Sequence, residues 1–332
     1  MNEASYLSNT LLTRRSLGKL LALPALAAMP AAHAQAWPNK PLRLIVGYSP
    51  GGAVDAMARL LAARLAEPLG QQVLVDNRTG AAGMIAADAT AKAAPDGYTL
   101  MLADSSVLIA RLINPKVTFD ATTAFAPVVG AFYTPLMVVA NNDFPANDAK
   151  SLVQALKANP GKYSYATSGV GTVHHLGFEL LKSSTGSFVV HIPYRGAAQI
   201  VPDVISGQVP LGVVSATAGL AQARAGKLKA LALLSPTRLP GTESISLLSD
   251  VVPNFNVAPY LFVVAPAGTP ADVVSKLSET LRSVMANDDL AQTALRQGAV
   301  RGYANAAQLS REMAQETARW SRLIRDQKIT AD

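Results

Sequence analysis

Two glycine-bearing turns hold most of the chemistry that this sequence offers. Tyr48-Ser49-Pro50-Gly51-Gly52-Ala53-Val54-Asp55 ends an apolar run and opens a helical stripe. Two adjacent glycines let backbone approach a guest closely, and a helix start carries unbonded N–H groups at the positive end of its dipole. An anion suits such a place. Asp55 falls in the first helical turn and is expected to brace the loop or order a water, because a carboxylate facing a carboxylate would repel it. The plain alternative is a tight turn with Asp55 as its cap. The second turn, Thr167-Ser168-Gly169-Val170-Gly171-Thr172, repeats the order of strand, glycine loop and helix, and its hydroxyls and amides could receive the other end of a ligand. It lacks the third glycine of a dinucleotide fingerprint and the Lys-Ser/Thr ending of a phosphate loop, so nucleotides are disfavoured and no cofactor is expected. A third loop, Ala103-Asp104-Ser105-Ser106, follows another strand and is expected on the same cleft.

Three histidines follow residue 34. His174 and His175 are adjacent, so about 100° apart on a helix, and cannot comfortably share one metal. His175 with Glu179 has i,i+4 spacing, but hydrogen bonding at a helix start beside the cleft is the expected role of His175. His191 reads as structural. Tyr194 is a candidate cleft residue, and Arg195 fits equally a carboxylate partner and a solvated surface cation. Among 332 residues there is no cysteine, which removes thiolate nucleophiles, disulfides and cysteine–zinc sites. No Gly-x-Ser-x-Gly, His-Glu-x-x-His or convincing triad occurs. Asp55 opposite His175 is the best pair an enzyme could claim here, and a binding protein without catalytic residues or metal is expected.

Positioning these turns requires alternating strands and helices. Leu42–Tyr48 is an apolar run broken only by Arg43, as in a strand buried on both faces. The stripe Val54, Met57, Leu61, Leu65 predicts a helix that stops near Pro68 and Gly70. Strands are predicted at Val73–Val75 and Tyr98–Ala103, with a helix over Ala81–Ala94 between them. A second set has strands at Leu136–Ala140, Tyr163–Ala166, Val189–Tyr194, Val209–Val214 and Leu228–Leu234, and a helix at Ala149–Ala158. Tyr260–Ala265 is strand-like, Thr269-Pro270-Ala271-Asp272 reads as a capped helix start, and a last helix is predicted over Ala306–Asp326. The pattern means α/β with a mainly parallel sheet. About 300 residues exceed one comfortable core, so two lobes are expected, and the absence of a linker implies crossings on strands. The expected division is residues 35–136 with 262–332 as lobe 1 and 137–261 as lobe 2, hinged around a ligand cleft.

Residues 1–34 read as an export signal. Thr13-Arg14-Arg15-Ser16-Leu17-Gly18-Lys19 precedes an apolar run, Leu20 to Ala32, shorter than the ~20 residues of a membrane span. Ala32-His33-Ala34 offers a cleavage site. The paired arginines look like a twin-arginine signal, with a general secretory signal as the alternative. The formal charge is +7; residues 1–34 contribute Arg14, Arg15 and Lys19 against Glu3, leaving 26 positive and 21 negative charges. These are scattered rather than clustered, so no nucleic-acid face is indicated.

From Trp37 onward the chain resembles the TctC or Bug family, the extracytoplasmic receptors of tripartite tricarboxylate transporters. The resemblance lies in Trp37-Pro38-Asn39-Lys40-Pro41-Leu42, Gly51-Gly52-Ala53-Val54-Asp55, Val75-Asp76-Asn77-Arg78-Thr79-Gly80 and Ala93-Ala94-Pro95-Asp96-Gly97-Tyr98-Thr99-Leu100. It continues in Ser168-Gly169-Val170-Gly171-Thr172, His191-Ile192-Pro193-Tyr194-Arg195-Gly196 and Val264-Ala265-Pro266-Ala267-Gly268-Thr269-Pro270. What the resemblance implies is a type II periplasmic-binding-protein fold. It further implies a monomer that holds a small organic anion through Tyr48, Ser49, Gly51, Gly52, Asp55, Asp104, Ser105, Thr167, Ser168, Gly169, Thr172, His175, Tyr194 and Ser215. Membrane permease subunits would be its partners, with a ligand sensor docking on a signalling ectodomain as the alternative. Two positions depart from the family. Relatives usually have a hydroxyl where Asp104 stands, and many have an Asp, apt for a ligand amine, where Ser215 stands. The second departure implies a ligand without a cationic amine: a mono- or dicarboxylate, aromatic acids included.

Overall fold

The computed structural model describes residues 37–236 and 238–327. The expected export signal, residues 1–34, lies outside them. The chain divides into a unit of residues 1–39 and a unit of residues 40–332, and everything below concerns the second.

Two sheets organise that unit. The first has six strands in the order β11-β4-β10-β3-β1-β2: β1 Leu42–Val46, β2 Val73–Asn77, β3 Thr99–Asp104, β4 Phe125–Tyr133, β10 Tyr260–Pro266 and β11 Val300–Asn305. The second has five in the order β7-β6-β8-β5-β9: β5 Leu136–Ala140, β6 Ser164–Thr167, β7 Val190–Pro193, β8 Leu211–Ser215 and β9 Lys229–Leu233. Between them run α1 Ala53–Leu69, α2 Met84–Ala91, α3 Ser106–Ile113, α4 Ala149–Ala158, α5 Val173–Thr185, α6 Ala197–Ser206, α7 Ala216–Arg224, α8 Ala271–Ala286, α9 Asp288–Arg296 and α10 Ala306–Gln327. The sheets are mixed rather than mainly parallel. β1 pairs parallel with β2 and β3, and β6 with β7 and β8, but β10 runs antiparallel to β3 and β4, and β5 antiparallel to β8 and β9. The reversal follows from the crossings. The chain leaves the first sheet between Tyr133 and Leu136 and returns between Leu233 and Tyr260, so β5 and β10 enter their sheets against the βαβ strands.

Local chemistry accounts for the boundaries. Gly70, at φ 64°, closes α1 with its amide on the Glu67 carbonyl. Asp148 caps α4 reciprocally with Ser151. The helix predicted over Ala81–Ala94 starts late. Ala81 and Ala82 have φ of 47° and 55°, forming a short 3₁₀ turn flanked by Gly80 and Gly83 before α2 begins at Met84. Thr269 does not cap α8; its hydroxyl turns back to the Pro266 carbonyl at 2.8 Å.

The last helix joins both cores. Leu309 and Met313 on α10 pack with Ile45, Phe262 and Val264 of the first sheet. Trp320 and Ile324, two turns on, pack with Leu136, Val138 and Leu211 of the second. α3 divides the same way, Val107 and Leu108 to one core, Ile109 and Ile113 to the other. The segment 262–332, assigned whole to one lobe from sequence, therefore buries its C-terminal turns against the other.

Candidate functional site

The two sheets meet through their loops. Ser49 Oγ lies 3.5 Å from the Arg195 carbonyl, and the Val173 amide donates to Ser106 Oγ at 3.1 Å. Two cavities lie at this junction, and Tyr48 and Ser168 line both. The larger, about 680 Å³, is walled by the Gly80–Ile85 turn, Phe119, the Ser168–Gly171 loop and Tyr194, with Lys116 and Arg195 on its rim. The smaller chamber, about 20 Å³, is walled by Ser49, Gly52, Ala53, Val54, Asp104, Thr134, His174 and Ser215.

The small chamber contains the opening of α1, whose first amides no helical carbonyl can reach. Tyr48 stands beside it, 8% exposed; its hydroxyl lies against Asp104 and Ser106 without making a hydrogen bond of acceptable geometry. Burial, then the nearby Asp104 carboxyl, pushes the Tyr48 phenol well above its ordinary range. Asp104 is 2% exposed and accepts the Ser106 amide at 2.9 Å; burial raises its carboxyl, although Tyr48 and Ser106 pull the other way. His174 contributes a buried Nδ1 that has no partner, and burial pulls its imidazole down to about 4.

The expected site residues divide into wall and support. Tyr48, Ser49, Gly52, Asp104, Ser168 and Ser215 line the small chamber or both cavities, and Gly169 and Tyr194 line the large one. Gly51, Asp55, Ser105, Thr167, Thr172 and His175 line neither. The turns were expected to bare their amides, and three of those amides are already bonded. The Gly51 amide donates to Asp55 Oδ2 at 2.9 Å, Gly52 to the Ser49 carbonyl at 3.4 Å, and Gly171 to His175 Nδ1 at 3.3 Å. Asp55 also binds Arg59 at 2.9 Å and Asn77 at 3.0 Å. Burial alone would raise that carboxyl, but the hydrogen bonds from Arg59, Gly51 and Asn77 outweigh it and hold it below the usual range. The acid braces the loop from behind. Ser105 supports the Tyr260 amide at 3.1 Å, and Thr172 caps α5.

His175 and His191 work together as a prop for the second turn. Their rings stack 4.2 Å apart, His175 holds the Gly171 amide, and His191 Nε2 meets Thr167 Oγ1 at 2.6 Å. Both ends of the Ser168–Gly171 loop are thus tied to neutral imidazoles. Burial, outweighing Glu179, pulls His175 down to about 4, and burial with His175 and Lys182 pulls His191 to about 3. An unfolded chain takes up these protons near pH 6.5, so stability present above that pH should be lost as pH falls toward 4. At about 1.4 kcal/mol per pH unit, His175 alone contributes at most ~3 kcal/mol. Thermal unfolding from pH 8 to pH 4 should show this decline, and His191→Gln should flatten it; an unchanged slope in the variant would place the loss elsewhere.

Several wall residues carry little sequence signal. The Gly80–Ile85 turn contains only small and apolar side chains, and its left-handed alanines appear only in the backbone. Lys116 and Phe119 lie in a stretch where no strand or helix is evident from periodicity. His174, rather than His175, faces the chamber.

Two α/β halves whose loops meet over a small chamber have the build of a solute-binding protein of the periplasmic type. Residues 57–329 match the tripartite tricarboxylate transporter family receptor, and the chain belongs to that family. Protein BugT of Bordetella pertussis is 33% identical over 93% of this chain and 95% of its own. The solved periplasmic binding protein BugD is 30% identical over 89% of this chain and 99% of that one, with a TM-score of 0.85. An R. palustris protein solved with adipate is also 30% identical, with the same coverage and a TM-score of 0.86.

Proposed function

We propose that this protein is a periplasmic receptor that captures a small organic mono- or dicarboxylate, aromatic acids included, and delivers it to the membrane subunits of a tripartite transporter. In this reading residues 1–34 direct export, the mature chain acts as a monomer without turnover, and two lobes hinge at the Tyr133–Leu136 and Leu233–Tyr260 crossings. The observation that carries it is the small chamber, where the opening of α1 and the unbonded Tyr48 hydroxyl converge between loops of both sheets. A carboxylate there would receive amide and phenol donors. The body of the ligand would extend into the large cavity, where Lys116 and Arg195, without ion partners among the described residues, suit a second carboxylate. The adipate held by the R. palustris relative is a molecule of that shape. Ser215 on the chamber wall supports acids without an amine.

A thermal-shift panel of linear and aromatic acids tests this. Ligand at 100 times its dissociation constant adds ~2.7 kcal/mol of stability. Tyr48→Phe should weaken the best acid about tenfold while leaving the unliganded protein as stable or slightly more so, because the hydroxyl it removes is buried and unpaired. Silence across the panel, or selective tight binding of glutamate or aspartate, would overturn the reading.

A further inference from the structure

We infer that Asp104 receives the ligand's carboxylate as a neutral acid, so that capture takes up one proton; this rests on the carboxylate reading above. Among the described residues, the lining of the small chamber has a carboxyl group and no cation. Asp104 makes no ion pair among the described residues, and the groups that face it from each packed element are uncharged or already engaged. From the β1–α1 turn comes Tyr48, a phenol held protonated. From its own loop come Ser105 and Ser106, whose hydroxyls accept the Tyr260 and Val173 amides. From α5 comes His174, an imidazole kept neutral by burial. From β8 comes Ser215, whose hydroxyl accepts the Ala218 amide at 3.3 Å. β10 pairs Leu261 beside Asp104 and adds no charge.

Into about 20 Å³ the ligand would bring a second carboxylate. Two carboxylates at hydrogen-bonding distance cannot both stay ionised without a cation, and such pairs share one proton. The proton comes from solvent and forms an O–H···O⁻ bond from Asp104 to the ligand, with no other bond made or broken. The carboxyl of Asp104 on this wall therefore makes affinity depend on pH.

Isothermal titration of the protein with adipate, succinate and benzoate, in two buffers of different ionisation enthalpy at pH 6 to 8, reads this directly. The expected result is uptake of about one proton per ligand at pH 8, with affinity falling about tenfold per pH unit there. Asp104→Asn keeps the acceptor for the Ser106 amide and offers a permanent neutral donor; it should bind with a flat pH profile and no buffer dependence, and Asp104→Ser should do the same if the amide disturbs folding. Acid binding by the wild type without proton uptake overturns the inference alone, as does an unchanged slope in both variants. Tight binding of an amino acid that is lost in Asp104→Asn would make Asp104 an ionised partner of ammonium, and also overturns it. If none of the acids binds any of the three proteins at any pH, the carboxylate reading itself fails, and the inference with it.

Discussion

Replacing Gly298 by alanine is expected to weaken ligand capture about 100-fold while leaving the chain folded. Gly298 sits between α9 and β11 at φ 82°, and a Cβ there would lie 2.7 Å from Ala216 C and Thr217 N. Those atoms open α7, directly after Ser215 on the chamber wall. A backbone neighbour cannot swing aside as a side-chain tip can, so the loop of one half and the helix of the other must part. A penalty of ~3 kcal/mol on the closed form is enough, since each 1.4 kcal/mol is tenfold in affinity. The left-handed conformation costs a further ~1–2 kcal/mol of stability with any side chain. Gly226→Ala isolates that cost, because Gly226 has φ 68° and nothing within 4 Å of a built Cβ. Titration calorimetry should separate the two variants by about two orders of magnitude in Kd, with matched losses in Tm. Equal affinities would show that contact at Gly298 has no part in closure.

Trp320→Ala is the substitution with the largest expected effect on stability. The indole is 2% exposed and packs among second-sheet residues, while its Nε1 donates to Glu316 at 2.9 Å. Removing a buried tryptophan costs ~3–5 kcal/mol. Because Leu309 and Met313 hold the first half of α10 to the other core, the loss also uncouples the two halves. Calorimetry should show Tm lowered by roughly 10 °C, at 2–4 °C per kcal/mol for a chain of this size, and the single transition broadened or split. Arg325→Ala, on the exposed side of the same helix, should shift Tm by less than 2 °C. A sharp, single transition in Trp320→Ala would mean that the halves are coupled elsewhere.

How far the fold was legible depends on how local each signal is. α4 was predicted at its observed limits, Ala149–Ala158, because its cap at Asp148 and its stop at Asn159-Pro160-Gly161 are neighbours in sequence. β4 was not evident, although it pairs with both β10 and β11. Its segment contains Pro127 and Gly130, which weaken a strand pattern, and Gly130 is required by the Tyr260 ring lying across it: a built Cβ would fall 1.5 Å from the phenol oxygen. No reading of residues 125–133 alone could find a ring contributed from residue 260.

The site divides by the same principle. Glycine turns and helix starts are properties of short stretches, and by themselves they indicated an α/β chain with loops suited to an anion. Which amides stay free was decided by side chains that reach back, Asp55 to Gly51 and His175 to Gly171, and which histidine faces the chamber by the rotation of α5. Only tertiary packing brought Asp104 to a wall without cations, and only packing made α10 a strap across two cores. A dipeptide's geometry is local, whereas burial and electrostatic environment are sums over residues distant in the chain.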